Sequence, residues 1–208
     1  MKERGILFSA PMVRALLDGT KTVTRRLVKA ASGRQSAWLT PALLNSSPRA
    51  EMGHVDGALG AQFEHPKGGP LGWVRCPYGN AGDRLWVRET FCEGYPGTAD
   101  RYLYRATYEG GCEHKWTPGI HMPRTASRIT LRVVDVRVER LHAITDTDIE
   151  REGVVLTGPA SALVQRVGGV SAARERFVGL WEEINGKRAP WSTNPWVWRV
   201  AFEVVPRG

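Results

Sequence analysis

Apolar positions along the chain recur with two different periods, and the changes between them outline the elements. Gly5-Ile-Leu-Phe8 is a short apolar run that predicts a first strand. Ser9 can cap a following helix with Pro11 in its first turn, where a missing N–H costs nothing. Met12, Val13, Leu16 and Leu17 share one helical face, and Gly19 supplies the stop. Lys21 to Val28 is rich in β-branched residues and reads as a loop running into a strand. Gly82 to Phe91 and Arg101 to Tyr108 read as further strands. The clearest strand signal runs from Ser127 to Leu141, where Ile129, Leu131 and Val133 are followed by Val134, Val136 and Val138. The change of phase at Val133-Val134 predicts a bulge or bend. Thr145-Asp-Thr-Asp148 has the form of a capping box and opens a short helix that Gly153 closes. A second helix begins near Ser171, with Phe177, Leu180, Trp181 and Ile184 as its apolar stripe. Pro195 to Val205 makes the final strand.

Residues 30–80 differ from the rest. Ser, Gly, Pro and Asn are frequent there, apolar periodicity fades, and the stretch reads as a flexible insertion, a lid over something else. Strands interleaved with short helices at irregular intervals predict an α+β fold around a small barrel, in one domain spanning 1–208.

Composition narrows the class. The balance of 42% hydrophobic and 24% charged residues is that of a globular protein, and eight tryptophans supply core material without disulfides. No apolar run approaches the roughly eighteen residues of a membrane span, and the start resembles no signal peptide. Three cysteines at irregular spacing, Cys76, Cys92 and Cys112, suggest no disulfide framework, so a reducing cytoplasmic setting is expected. The net charge of +8 is concentrated: residues 1–50 hold Lys2, Arg4, Arg14, Lys21, Arg25, Arg26, Lys29, Arg34 and Arg49 against Glu3 and Asp18. Such a segment predicts a phosphate-contacting surface, or simply a solvated basic face.

The most distinctive stretch is Leu17-Asp-Gly-Thr-Lys-Thr-Val-Thr-Arg-Arg26. It resembles the signature of the ASCH domain family, Gly-x-Lys-Thr-x-Thr/Glu-x-Arg after a short amphipathic helix, here Gly19, Lys21, Thr22, Thr24 and Arg26. Gly82-Asp-Arg-Leu85 is similar to the family's turn into a barrel strand, and Ile144 to Gly153 to its short acidic helix. The layout, with Leu-Trp-Val-Arg-Glu89 and Asn-Pro-Trp-Val-Trp198, looks like the longer ASCH proteins of bacteriophages and prophages. The resemblance implies a PUA-like β-barrel associated with RNA or modified nucleosides. It further implies similarity to amidohydrolases that deacetylate N4-acetylcytidine, with Lys21, Thr24 and Glu152 as the catalytic set and no cofactor.

That chemistry is coherent. A threonine hydroxyl needs a neighbouring base, and lysine can serve if burial or nearby positive charge lowers its pKa. On a regular strand residues 21 and 24 would point to opposite faces, so Lys21 is expected in the loop after Gly19, before the strand begins. Arg26 is the expected holder of substrate or oxyanion, with Arg25, Thr22, Arg88 and Glu89 as further substrate-binding candidates. Two other readings stay open: a non-catalytic module that binds RNA or a modified base in the same pocket, and a ribonuclease. Cys76, Cys92, Cys112 and His114 lack a C-x-x-C knuckle, so no metal is expected. Trp191, Trp196 and Trp198 at strand spacing are expected to build core rather than to stack on bases.

Overall fold

The computed structural model describes residues 1–29, 40–94, 101–110, 115–154 and 172–206. Its elements in chain order are β1 (Glu3–Leu7), α1 (Ala10–Leu17), β2 (Val23–Leu27), α2 (Pro41–Ser46), β3 (Ala50–Val55), β4 (Ala58–Glu64), β5 (Pro70–Arg75), β6 (Arg84–Arg88), β7 (Phe91–Glu93), β8 (Tyr102–Tyr104), β9 (Thr130–Arg140), α3 (Asp146–Arg151), α4 (Ala172–Asn185) and β10 (Trp196–Val205). The α+β class predicted from the pattern is what is observed. Residues 30–39 of the expected insertion, and Ser171, Cys112 and His114, lie outside the described residues.

The large sheet has the order β1-β6-β9-β10-β2, parallel only between β1 and β6. Among the described residues no backbone ladder joins its edges β1 and β2, so the expected closed barrel is not established by pairing. The sheet is nonetheless strongly curled. Four inter-strand steps of about 4.8 Å would hold flat edges roughly 19 Å apart, far beyond one arginine, yet the Arg26 guanidinium on β2 donates to Leu7 O on β1. Phe8, just past β1, also packs edge-on to Phe202 of β10 at 6.2 Å.

Alternation explains the two faces. Ile6, Leu85, Val87, Leu131, Val133, Trp198, Val200 and Phe202 point inward with Val13 and Leu16 of α1 to form the main core. The register of β9 on β10 slips between Ala201 and Phe202, opposite Asp135 and Val133. Val134 is the extra residue and stands 52% exposed, the bulge that the phase change predicted. On the other side of β10, Val197 joins Leu141, Ile144, Ile149, Phe177 and Trp181 in a second core under α3 and α4.

The segment 40–80 corrects the sequence reading. Instead of unpatterned loop it holds α2 and a three-stranded antiparallel sheet, β3-β4-β5, whose Ala61, Phe63, Leu71 and Val74 belong to the main core. Its glycines mislead the reading. Gly53 and Gly60 face each other across β3 and β4, and the Trp73 indole lies over both. A Cβ at Gly60 would come within 2.6 Å of that ring. Asp56-Gly57 forms the hairpin turn at positive φ of 50° and 68°, the local pairing that favours a two-residue turn.

Candidate functional site

The site is assembled where the loop after α1 meets the end of α3. Gly19 takes a φ of 72°, and the backbone N–H of Lys21 returns to Ala15 O at 2.9 Å, so the chain reverses before β2 begins. Lys21 therefore sits outside the regular strand, as the sequence reading expected, and forms an isolated antiparallel bridge with Glu152. On α3 the Thr145 hydroxyl accepts from the Asp148 N–H at 3.1 Å, and Gly153, at φ 76°, ends the turn that presents Glu152.

Lys21 is 1% exposed. Its Nζ donates to Glu152 Oε2 at 2.8 Å, to Glu152 O at 2.8 Å and to Val23 O at 2.9 Å, which accounts for all three ammonium protons. Burial pulls the lysine below its ordinary pKa; Glu152 pulls the other way, and Arg26 and Arg25 reinforce the lowering. The Arg25 guanidinium reaches Glu152 Oε1 at 3.4 Å, so both carboxylate oxygens face a cation.

Thr24 is buried and lines a cavity of about 60 Å³ together with Arg25, Arg26 and Glu152, under Phe177 and Trp181 of α4. Room for about two waters is available there. Among the described residues the Thr24 hydroxyl makes no hydrogen bond, to Lys21 or to any other group. Arg26 leans over the Phe8 ring at 4.9 Å, and its Nε is buried with no hydrogen-bond partner among the described residues. Glu152 also lines a second, larger groove of about 910 Å³ between α1 and α4, with Met12, Arg14, Asp18, Arg176 and Leu180.

The remaining candidates divide. Thr22 contributes backbone: its N–H donates to Arg151 O and its carbonyl accepts from Phe202 N, both at 2.9 Å. Arg88 and Glu89 do not line the cavity of Thr24 and Glu152. Arg88 donates through Nε to Gly119 O at 3.1 Å, and Glu89, 2% exposed, is clasped by Arg128 at 2.9 and 3.0 Å. The basic segment divides: Lys21 and Arg25 are buried and Arg4 pairs with Asp83 at 3.0 Å, while Lys2, Arg14, Lys29 and Arg49 are exposed, Arg14 donating to Ala106 O. Trp196 and Trp198 are core, while Trp191 packs against His142 at 4.5 Å. Among the described residues no group of His, Cys, Asp and Glu is placed to hold a metal.

Sequence reasoning missed the support beneath the site. Arg25 and Arg199 stand directly opposite each other on β2 and β10, an arrangement that repels unless an anion lies between. Asp148 is that anion, bonded to Arg25 and, at 3.0 and 3.1 Å, to Arg199; Glu139 adds a contact to Arg25 Nε at 2.8 Å. Burial alone would raise the Asp148 pKa, but the bonds and charges of Arg199 and Arg25 outweigh it and hold the carboxyl at about 2. Two signals were present: Asp148 and Glu152 at i, i+4 on one helical face, and Arg199 inside an otherwise apolar strand.

No protein-family model and no curated protein matches the chain. Among solved structures it is similar to the crystal structure of a DUF984 protein from Enterococcus faecalis V583, at 9% identity and a TM-score of 0.41. The match covers 99% of this chain and 80% of that one, and at that score it carries no argument about fold or function.

Proposed function

We propose that the protein is an ASCH-type, PUA-like amidohydrolase that removes the acyl group from an acylated nucleoside base such as N4-acetylcytidine, using side chains alone. The observation that carries this reading is the buried Lys21–Glu152 pair, at 2.8 Å, at the edge of a small cavity lined by Thr24. In the proposed reaction substrate lies in the α1–α4 groove and its acyl group enters the cavity. Lys21, whose burial favours its neutral form, exchanges one of its present acceptors for the Thr24 hydroxyl and takes its proton. Thr24 Oγ1 attacks the carbonyl carbon, and the oxyanion meets the unpaired Nε–H of Arg26. Collapse breaks the C–N bond, and the departing amine takes a proton relayed by Glu152. Water then cleaves the threonine ester, releasing the acid.

Incubating the protein with N4-acetylcytidine and following cytidine by chromatography tests this directly. Wild type is expected to release cytidine, while Lys21→Ala and Thr24→Ala abolish release and keep a wild-type circular dichroism spectrum. Turnover retained in either variant overturns the mechanism. The rate is also expected to rise with pH on a limb centred below the ordinary lysine value of 10.5, as the direction of the Lys21 shift requires.

A second reading, a non-catalytic base-binding module, is favoured by one fact: all three Lys21 protons already have acceptors, none of them Thr24. Calorimetric binding of N4-acetylcytidine without any release of cytidine would select it.

A further inference from the structure

The groove between α1 and α4 that Glu152 borders has a glycine on its wall that the fold itself does not call for. Gly179 lies in the interior of α4, exposed, on the helical face that Arg176, Leu180 and Glu183 also present to the groove. After proline, glycine is the least favourable residue in a helix interior. Elsewhere glycine has a physical cause: Gly19 and Gly153 take left-handed backbone, and a Cβ at Gly60 would strike the Trp73 ring. Gly179 has ordinary helical backbone, and among the described residues nothing lies within 4 Å of the place its Cβ would occupy. Neither backbone geometry nor packing among those residues requires it. What it leaves is bare helix backbone facing the groove.

That groove leads to the cavity of Thr24. Met12, Glu152 and Leu180 line both spaces, so the two meet along those three side chains. Pro11, Met12 and Ala15 supply the α1 wall, and on α4 Arg176 and Glu183 stand about one turn to either side of Gly179. Apolar walls with a polar group at each end suit a flat, uncharged ring. Its face can lie on the helix backbone, while its polar edge accepts from Arg176 or donates to Glu183.

We propose that Gly179 is a substrate-seating residue: the base of the acylated nucleoside lies flat on the bare α4 backbone there, and its acyl group reaches past Met12 and Leu180 to Thr24. The inference rests on the hydrolase reading for the identity of the ligand, and adds to it a determinant on α4, far along the chain from Lys21 and Thr24. A methyl group at 179 would stand where the ring lies, and one methylene in a pocket changes recognition by about tenfold or more. Gly179 touches no reacting atom. Its substitution therefore weakens substrate and transition state alike, which raises KM and spares kcat.

The test compares the full chain with Gly179→Ala by thermal denaturation, by calorimetric titration with N4-acetylcytidine and by the kinetics of its hydrolysis. Helix propensity predicts that the variant melts about 1–4 °C above wild type. Seating predicts that KM and Kd rise about tenfold or more, with kcat changed far less. A glycine with a merely structural role would not couple a gain in stability to a loss of affinity. If the variant melts below wild type, α4 needs the glycine for itself and the proposal fails. If wild type hydrolyses N4-acetylcytidine and the variant keeps its KM, the hydrolase reading stands and this inference is overturned. If wild type binds without hydrolysing, the hydrolase reading falls and the ratio of Kd values decides the inference. Neither binding nor turnover by wild type overturns both.

Discussion

Asp148 shows how one carboxylate settles several cations. It lies between Arg25 and Arg199, and those same two residues stand directly opposite on adjacent strands. Its pKa is lowered from 3.8 to about 2, so its contribution to stability is complete above the unfolded value near 4 and is lost as pH falls through about 2. The difference corresponds to roughly 2 kcal/mol. Denaturant titrations across that acid limb should therefore show a steeper loss for wild type than for Asp148→Asn, which is already less stable at neutral pH. Coincident limbs would show that the carboxylate is not held down as described. Lys21 is governed by the opposite balance, burial against one carboxylate, which is why its charge is the less secure of the two.

At the level of elements, the site depends on how closely α1 approaches the end of α3. Gly153 has a φ of 76°, and a Cβ there would come within 2.7 Å of Ala15 Cβ and 3.1 Å of Lys21 Cβ. Gly19 has a similar φ of 72° but open space around it. The pair separates backbone strain from crowding. Gly19→Ala is expected to cost about 1 kcal/mol, and Gly153→Ala about 1–3 kcal/mol more through crowding, read as the difference between the two denaturation midpoints. Equal costs would mean that α1 yields freely. Elements were read well wherever the period was long and unbroken: β9, with its bulge at Val134, β10, α1, α3 and the body of α4. The β3-β4-β5 sheet was not, because Gly53 and Gly60 answer to Trp73, a residue on another strand, and no local pattern displays that.

Across the whole molecule, β10 divides two cores: Trp196, Trp198 and Val200 face one, and Val197 the other. The smaller core seats α3 and α4 against the sheet, and Trp181, 4% exposed with its indole N–H on Ala189 O at 2.8 Å, is its largest member. Trp181→Ala should cost about 3–5 kcal/mol and increase amide hydrogen exchange in α3 and α4 more than in β9, measured by mass spectrometry. Uniform loss of protection would show that the two cores are not separable units. The sequence by itself determined the α+β class, the turn that sets Lys21 outside the strand, and Glu152 at the end of a capped helix, because each follows from neighbours within a few residues. It could not determine that Arg25 rather than Arg26 shares Glu152, that Glu89 belongs to Arg128, or that Lys21 and Arg25 are the members of the basic segment that become buried. Those outcomes depend on which strands lie side by side and which face each presents, and long-range pairing of that kind leaves no period in the chain.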